Sequence, residues 1–380
     1  MSKKNKQIIL AATNDLSTDQ RVHKVAETLI KSGFSPMLIG RRLKKFKRTK
    51  FEKISYQALQ THLIKALSFM PATTFRLFFF LLFKKPAAFV ANDLDTLPAC
   101  YFAYKIKMAF GNKNIKLVYD SHELFTEVPE LNGRNFVKKT WLFLEKLILP
   151  KVKNSCTVCE SIASYYQKQY GIKMQIISNF SLFTDLVLNN QILDIKLPVN
   201  KKIILYQGAL NIGRGIEHVI NILNKIDDAV LVIAGKGDIE NDLKKRVNEN
   251  QLNNKVVFVG AIPLEQLFQL TKMAHVGLVL QEDLSLSYRY VLPNRLFDFM
   301  KAEVPILASN LPELHKIVSN EKIGLLIDGF EKEELIDKIK ELLFNEGLIA
   351  KIKIQLRECK RKYSWEIQEK KLIDFYQNLD

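Results

Sequence analysis

The sequence predicts an α/β protein of two domains, each a parallel sheet with helices packed on it. Three observations carry that reading. The chain has 380 residues, more than one hydrophobic core ordinarily organises. Short apolar runs recur along it, as at Gln7–Ala12, Lys202–Gln207 and Ala229–Ala234, and lead through a loop toward helical segments. Strands alternating with helices imply parallel pairing. The third observation is the stretch Gly277–Glu313, which repeats this unit twice in succession. There Gly277–Leu280 reads as a buried strand. After a polar loop, Pro293 opens a helix whose Leu296, Phe297 and Met300 recur at helical spacing. Proline suits a first helical turn, because the amide it lacks would be unpaired there anyway. A second strand, Ile306–Ser309, ends in another helix start at Pro312-Glu313. Two helix N-termini then lie side by side at the carboxyl edge of a sheet, where open α/β sheets bind ligands and where free amides attract phosphate. Arg295 and Asp298 fall in the first turns of the first helix, one suited to a phosphate and the other to hydroxyls.

Composition narrows the class. At 47% hydrophobic and 26% charged residues the chain is globular rather than disordered. Its four cysteines, Cys100, Cys156, Cys159 and Cys359, are few and unevenly spaced. No second pair accompanies Cys156-Thr-Val-Cys159 to complete a zinc site, so the expectation is a reduced, cytoplasmic protein with no metal and no cofactor. The start MSKKNK runs straight into a strand, which argues against a signal peptide. Net charge is +17, and its distribution says more than its size. Residues 1–180 hold 30 Lys and Arg against 12 Asp and Glu, a balance of +18, while the remaining 200 hold 27 against 28, a balance of −1. The first half alone therefore carries an electrostatic footprint for an anionic partner: phosphorylated lipid, a membrane surface or nucleic acid. Nucleic acid is the weakest of these, since the densest basic run, Arg41–Lys50, has a single aromatic and no recognisable module surrounds it.

Taken in order, Gln7–Ala12 is a first strand and Asn14-Asp15 begins the turn after it. A helix from Thr18 to Ser32 stops at Gly33, a natural C-terminal signal. Pro36–Ile39 is the next strand, so the opening is Rossmann-like but lacks the G-x-G-x-x-G dinucleotide fingerprint. The run Phe75–Phe83 is too short to cross a bilayer, which needs about 20 residues. It reads either as a buried helix, the reading preferred here, or as an interfacial one. Ala87–Ala91 is a strand, and Asp95 is placed as N-cap of a helix through Tyr104. Lys116–Tyr119 is another strand with Asp120-Ser121-His122-Glu123 at its carboxyl end. Cys156–Cys159 and Gln175–Ser178 close this half, and Phe180–Asn200 connects it to the next. Beyond Lys202–Gln207, a loop with Gly208, Gly213 and Gly215 precedes a helix and suits close approach of a ligand to the backbone. Ala229–Ala234 ends in Gly235-Lys236-Gly237-Asp238; Val256–Val259 and Leu325–Ile327 continue the sheet, and Lys332–Phe344 is a polar-faced helix.

Ser287-Tyr288 through Asp298-Phe299 resembles the motif S-Y-x-x-x-x-P-N-K-L-x-E-Y of retaining GT-B glycosyltransferases, the group 1 or family 4 set found in bacterial cell-envelope polysaccharide synthesis. NDLSTDQRV near the start, the GKGD turn and Tyr363-Ser364-Trp365-Glu366 resemble further segments of the same family. The resemblance implies two Rossmann-like domains facing across a cleft: an acceptor-side domain at 1–182, a donor domain at 183–362, and a closing helix at 363–380 that returns to the first. It implies transfer of a sugar from a nucleotide-diphosphate donor to a hydroxyl of a glycan or lipid-linked acceptor, with retention of configuration. On the donor side it points to Gly208, Arg214, Gly235, Lys236 and Arg295, with Arg214 and Arg295 on the diphosphate and Asp298 on the ribose. On the acceptor side it points to Asp19, Arg21 and Asn92, and it places His122 near the transferred sugar, where a neutral imidazole suits a sugar hydroxyl. The family's first glutamate falls on Tyr290, so Glu282 is its candidate substitute, and the family's glycine before the next strand is Glu303. Two alternatives remain: a GT-B nucleotide-sugar epimerase, and a non-catalytic scaffold that binds glycan or lipid. Contact of the basic half with the inner face of a membrane is a further expectation.

Overall fold

The computed structural model describes residues 6–16, 19–41, 54–58, 66–182, 195, 197–198 and 200–379. The basic run after Arg41 and most of the expected connection, including 183–194, lie outside the described residues. The chain divides into two compact units, 1–179 with 368–380, and 180–367.

The first unit is built on seven parallel strands: β1 (Lys6–Asp15), β2 (Phe34–Arg41), β3 (Ser55–Ala58), β4 (Ala88–Asn92), β5 (Lys116–Ser121), β6 (Asn154–Thr157) and β7 (Gln175–Ile176), in the order β3-β2-β1-β4-β5-β6-β7. Ile8, Ile9, Leu10 and Ala11 of β1 pair in register with Ala88–Ala91 of β4 and are almost fully buried. A continuous apolar run is what a parallel strand needs when both of its faces are covered. Its helices are α1 (Gln20–Lys31), α2 (Ala66–Leu82), α3 (Leu97–Ala109), α4 (Asn135–Ile148) and α5 (Glu160–Tyr170). Helix α1 starts where Asp19 accepts a hydrogen bond from the Val22 amide, and ends at Ser32 with Gly33 in the left-handed region at φ +84°.

Three sequence expectations need correction here. The N-cap position of α3 is Thr96, not Asp95, and its hydroxyl donates back to the Asn92 carbonyl; Asp95 instead accepts a hydrogen bond from the Thr13 hydroxyl. The phenylalanine-rich run forms the end of α2, but Leu77 and Leu81 face inward while Phe75, Phe79 and Phe83 are exposed. Cys159 lies beyond the strand expected at Cys156–Cys159, as the N-cap of α5; all four cysteines are buried thiols.

The second unit has six parallel strands: β8 (Lys202–Gln207), β9 (Ala229–Ala234), β10 (Val256–Phe258), β11 (Val276–Val279), β12 (Ile306–Ser309) and β13 (Gly324–Ile327), ordered β10-β9-β8-β11-β12-β13. Helices α6 (Ile216–Ile222), α7 (Glu240–Glu249), α8 (Leu264–Met273), α9 (Leu286–Arg289), α10 (Asn294–Lys301), α11 (Pro312–Glu321), α12 (Lys332–Phe344) and α13 (Glu346–Cys359) accompany it. One core of buried Ile, Leu and Val runs from β8 to α13. Both sheets therefore have the doubly wound order, with the chain reversing direction across the sheet between β1 and β4 and between β8 and β11. The last helix, α14 (Trp365–Gln377), begins within the second unit and contributes Gln368 onward to the first. There Gln368 accepts a hydrogen bond from the Ser178 amide at 3.1 Å, and Glu369 from Thr28 and Lys31.

Candidate active site

The carboxyl ends of β8 and β11 form the reversal point of the second sheet, the position at which doubly wound sheets bind ligands. The loops after β8 and β9 are locked together there. The Gly208 amide donates to the Ala234 carbonyl at 3.0 Å and the Leu210 amide to the Lys236 carbonyl at 3.0 Å. A Cβ at Gly235 would lie 1.8 Å from the Gly208 carbonyl oxygen, so this approach requires glycine. Gly208 itself, at φ +130°, lies against Arg295: a Cβ there would be 3.5 Å from Nη1. The Lys236 side chain is exposed on the same loop.

Arg214 and Arg295 come together beside these glycines. Arg295, 7% exposed, donates from Nη2 to the Leu280 carbonyl at 3.0 Å, and its guanidinium lies 5.0 Å from the centre of the Tyr206 ring. Arg214 donates from Nη1 to the Gln281 side-chain oxygen and lies 4.8 Å from the centre of the Tyr288 ring. Gln281 is held in turn: its Nε2 donates to the Gly213 carbonyl, and its amide to Ser309 Oγ. Among the described residues neither guanidinium has a carboxylate partner, and the Nε of each is buried without a hydrogen-bond acceptor. Burial pushes the Arg295 pKa down; the Tyr206 hydroxyl opposes this, and the like charge of Arg214 lowers it further. A buried and a half-buried cation that repel each other without a counter-charge make a site for an anion.

Asp298 lies on the next turn of α10. Its Oδ1 accepts from Ser181 Oγ at 2.5 Å and its Oδ2 from Gln207 Nε2 at 3.0 Å, and Gln207 is fixed by the Thr271 hydroxyl at 2.8 Å. A carboxylate accepts hydrogen bonds at about four positions, which suits it to hydroxyl groups. The Glu282 carboxylate is 3.4 Å from His218 Nε2, and that imidazole stacks on Phe330. Gln207, Gln281, Tyr206, Tyr288 and His218 were missed by the sequence reading. Neutral polar or aromatic residues at the end of an apolar run carry no spacing signal, although a glutamine closing a buried strand is a legible anomaly.

In the first unit, His122 follows β5 and lies between two carboxylates. Nδ1 is 3.3 Å from Asp93 Oδ2, Nε2 is 3.5 Å from Asp120 Oδ2, and the His122 amide donates to Asp93 Oδ1 at 2.7 Å. Burial disfavours its charge, but Asp93 and Asp120 outweigh that and push its pKa up to about 9. The two carboxylates thus favour the imidazolium at neutral pH over the neutral imidazole expected from sequence. Burial alone would raise the Asp120 pKa, yet Arg21 and His122 hold it below the usual carboxylate range. Arg21, expected to face the acceptor, is 2% exposed and committed to the interior. It donates to both Asp120 oxygens and to the Ile177 carbonyl, so its role is to hold Asp120. Asp19 is the N-cap of α1 and also accepts from Asn14. Asn92 donates to the Ala11 carbonyl at 2.8 Å, while its Oδ1 is buried without a partner, as is Asp95 Oδ1. Burial pushes the Asp95 pKa up to about 7. The reversal point of the first sheet thus also gathers unsatisfied polar atoms from the ends of β4 and β5.

These observations agree with comparisons across known proteins. Residues 189–359, which contain both arginines, match the family model described as glycosyl transferases group 1. Proteins similar to this chain include an uncharacterized glycosyltransferase, MJ1607, of Methanocaldococcus jannaschii, 27% identical over 47% of this chain and 45% of that protein. Another is the chitobiosyldiphosphodolichol beta-mannosyltransferase of Candida albicans, 21% identical over 68% of this chain and 61% of that one. The chain spans less than two thirds of the length of these relatives. Solved structures resemble the whole chain: sucrose-phosphate synthase from Thermosynechococcus elongatus with a TM-score of 0.79 at 18% identity, covering 98% of each chain. Anabaena Alr3699/HepE, in complex with UDP and glucose, gives a TM-score of 0.73 at 14% identity, covering 98% of this chain and 100% of that one. The fold is GT-B, with its two Rossmann-like sheets.

Proposed function

We propose that this glycosyltransferase moves a sugar from a nucleotide-diphosphate donor to a hydroxyl of a glycan or lipid-linked acceptor, with retention of configuration and without a metal ion. The observation that carries the donor half is the pair Arg214 and Arg295, the first half-buried and the second buried at the reversal point of the second sheet, with no carboxylate partner among the described residues. As the glycosidic bond breaks, negative charge grows on the leaving diphosphate, and preorganised guanidinium groups stabilise it more than they stabilise the bound donor. Gly208 and Gly235 let the backbone approach the phosphates; Lys236 extends from the same loop. Asp298 takes the ribose hydroxyls, and Glu282 takes a hydroxyl of the sugar. In the first unit the acceptor meets the group built from Asn92, Asp93 and the imidazolium of His122, near Asp19. The +18 balance of residues 1–180 suits an acceptor carrying phosphate, or one presented at the cytoplasmic face of a membrane during envelope polysaccharide synthesis.

Calorimetric titration with UDP, GDP and ADP tests the donor site. At least one binds, and Arg214→Ala or Arg295→Ala weakens it by about 10- to 150-fold, the effect of losing a hydrogen bond to a charged group. Arg295→Lys does not restore the affinity, because a point charge lacks the planar fork. If none of the three binds, the donor reading fails and a scaffold that binds glycan remains. Proton NMR of the product's anomeric centre separately tests retention.

A further inference from the structure

We propose that the outward face of α2, α3 and α4 is a docking surface for an anionic phospholipid bilayer. Each of these helices leaves an apolar stripe in solvent at helical spacing. On α2 and its end these are Phe75, Phe79 and Phe83, 63%, 55% and 84% exposed. Phe102, Ile106 and Phe110 repeat the four-residue interval on α3, and Phe136, Phe143 and Leu147 lie on one side of α4. Helix α3 packs between the other two, so the stripes are neighbours. Among the described residues, every large apolar side chain left strongly exposed in the first unit belongs to this group. A folded domain rarely leaves so much apolar area in water without a partner.

Charge selects the partner. Exposed Arg76, Lys85, Lys105, Lys139 and Lys146 are interleaved with the stripes. Neither α2 nor α3 contains an acidic residue, and the one acid of α4, Glu145, is buried against the hydroxyls of Tyr170, Tyr166 and Thr126. A surface of phenylalanines among lysines with no exposed acid matches the headgroup region of an anionic leaflet, with rings entering the boundary and cations on the phosphates. The helices lie on such a surface and do not span it, since no helix among the described residues is long and apolar enough to cross a membrane. This deepens the peripheral placement proposed above. It uses none of the donor residues, and its test reads binding rather than transfer.

Flotation with vesicles of phosphatidylglycerol and phosphatidylcholine decides it, with nucleotide affinity and melting temperature as controls for folding. The full chain rises with the phosphatidylglycerol vesicles, less so in high salt. The variant F83S/F110S/F136S partitions at least about tenfold less strongly, three rings having lost their contact with the acyl boundary. K85Q/K105Q/K139Q loses on the order of 100-fold on phosphatidylglycerol, each cation near the surface being worth about a factor of five, and changes little on phosphatidylcholine alone. Should the phenylalanine variant misfold, the lysine variant carries the decision. The proposal is overturned if the wild type stays at the bottom of the gradient, or if both variants float as it does. It is overturned equally if light scattering shows a dimer that the phenylalanine variant separates while neither form floats, for then a second copy of the chain covers this face.

Discussion

At the scale of single residues, His122 shows how two neighbours set a protonation state. Its imidazole is buried, which favours the neutral form, but Asp93 and Asp120 face it from either side and raise its pKa to about 9. The unfolded value is about 6.5. A group whose folded pKa is raised contributes stability that is complete below the unfolded pKa and lost as pH rises through the folded one. Wild type and His122→Asn should therefore differ most in melting temperature near pH 6, the variant melting lower, and the gap should close between about pH 6.5 and 9.5. Asp95, raised to about 7 by burial, also favours the folded state at lower pH. It is present in both proteins, so its contribution largely cancels in the difference. A gap that stays constant across that range would mean that the imidazole is not held as a cation. Arg21, the third charged group of this cluster, was legible in the sequence as part of a family segment, but its partner is 99 residues away. Nothing local distinguishes a charge that faces solvent from one that closes on a distant aspartate.

Elements show where a local rule is broken and what offsets it. Helix α10 ends at Lys301 with Ala302 as its C-cap, and Glu303 then adopts φ +59°, the left-handed conformation that ends many helices and that glycine adopts most easily. A side chain there costs about 1–2 kcal/mol. Glu303 gains in return two ion pairs, from Arg357 Nε at 2.7 Å and Lys360 Nζ at 2.6 Å. Pairs as exposed as the one to Arg357 contribute about 0.2–1 kcal/mol each. The two effects nearly balance, so Glu303→Gly should leave the denaturant midpoint within about 1 kcal/mol of wild type, since relief of strain offsets the lost pairs. Glu303→Val, which keeps a branched Cβ and loses both pairs, should destabilise by more than 1 kcal/mol. A Glu303→Gly protein as unstable as Glu303→Val would show that the ion pairs, not the backbone, dominate this helix end. The sequence marked the position as unusual but could not supply the partners, which lie 54 and 57 residues onward on and just beyond α13. Helix α2 was harder to read. Its later turns are apolar on every side, so no periodicity told which phenylalanines turn outward, and core burial was the wrong inference for three of them. Strand β3, short and half polar, carried no signal at all.

For the whole molecule, sequence was most informative where both faces of an element are covered. The strands of the second unit read directly as apolar runs, and their alternation with helices implied parallel pairing, while the strand order came only with the structure. The division of the chain was also visible as a change in charge, from +18 over residues 1–180 to −1 over the rest. The least local feature is α14, which leaves the second unit at Ile367 and completes the first. Its Leu372 and Tyr376 are 0% and 4% exposed, and Glu369 ties it to Thr28 and Lys31 of α1. Replacing one buried leucine by alanine costs roughly 2–5 kcal/mol, against about 5–15 kcal/mol of total stability for a domain. Removing residues 368–380 deletes that leucine, the tyrosine and the polar ties together. The first unit should then lose its cooperative melting transition and become open to proteolysis. The second unit keeps its core and both arginines, so it should still bind the nucleoside diphosphate with its original affinity. Calorimetric scanning and titration on the shortened chain read the two outcomes separately. Two intact transitions would show that the first unit is complete without this helix, and loss of nucleotide binding would show that the second unit does not stand on its own.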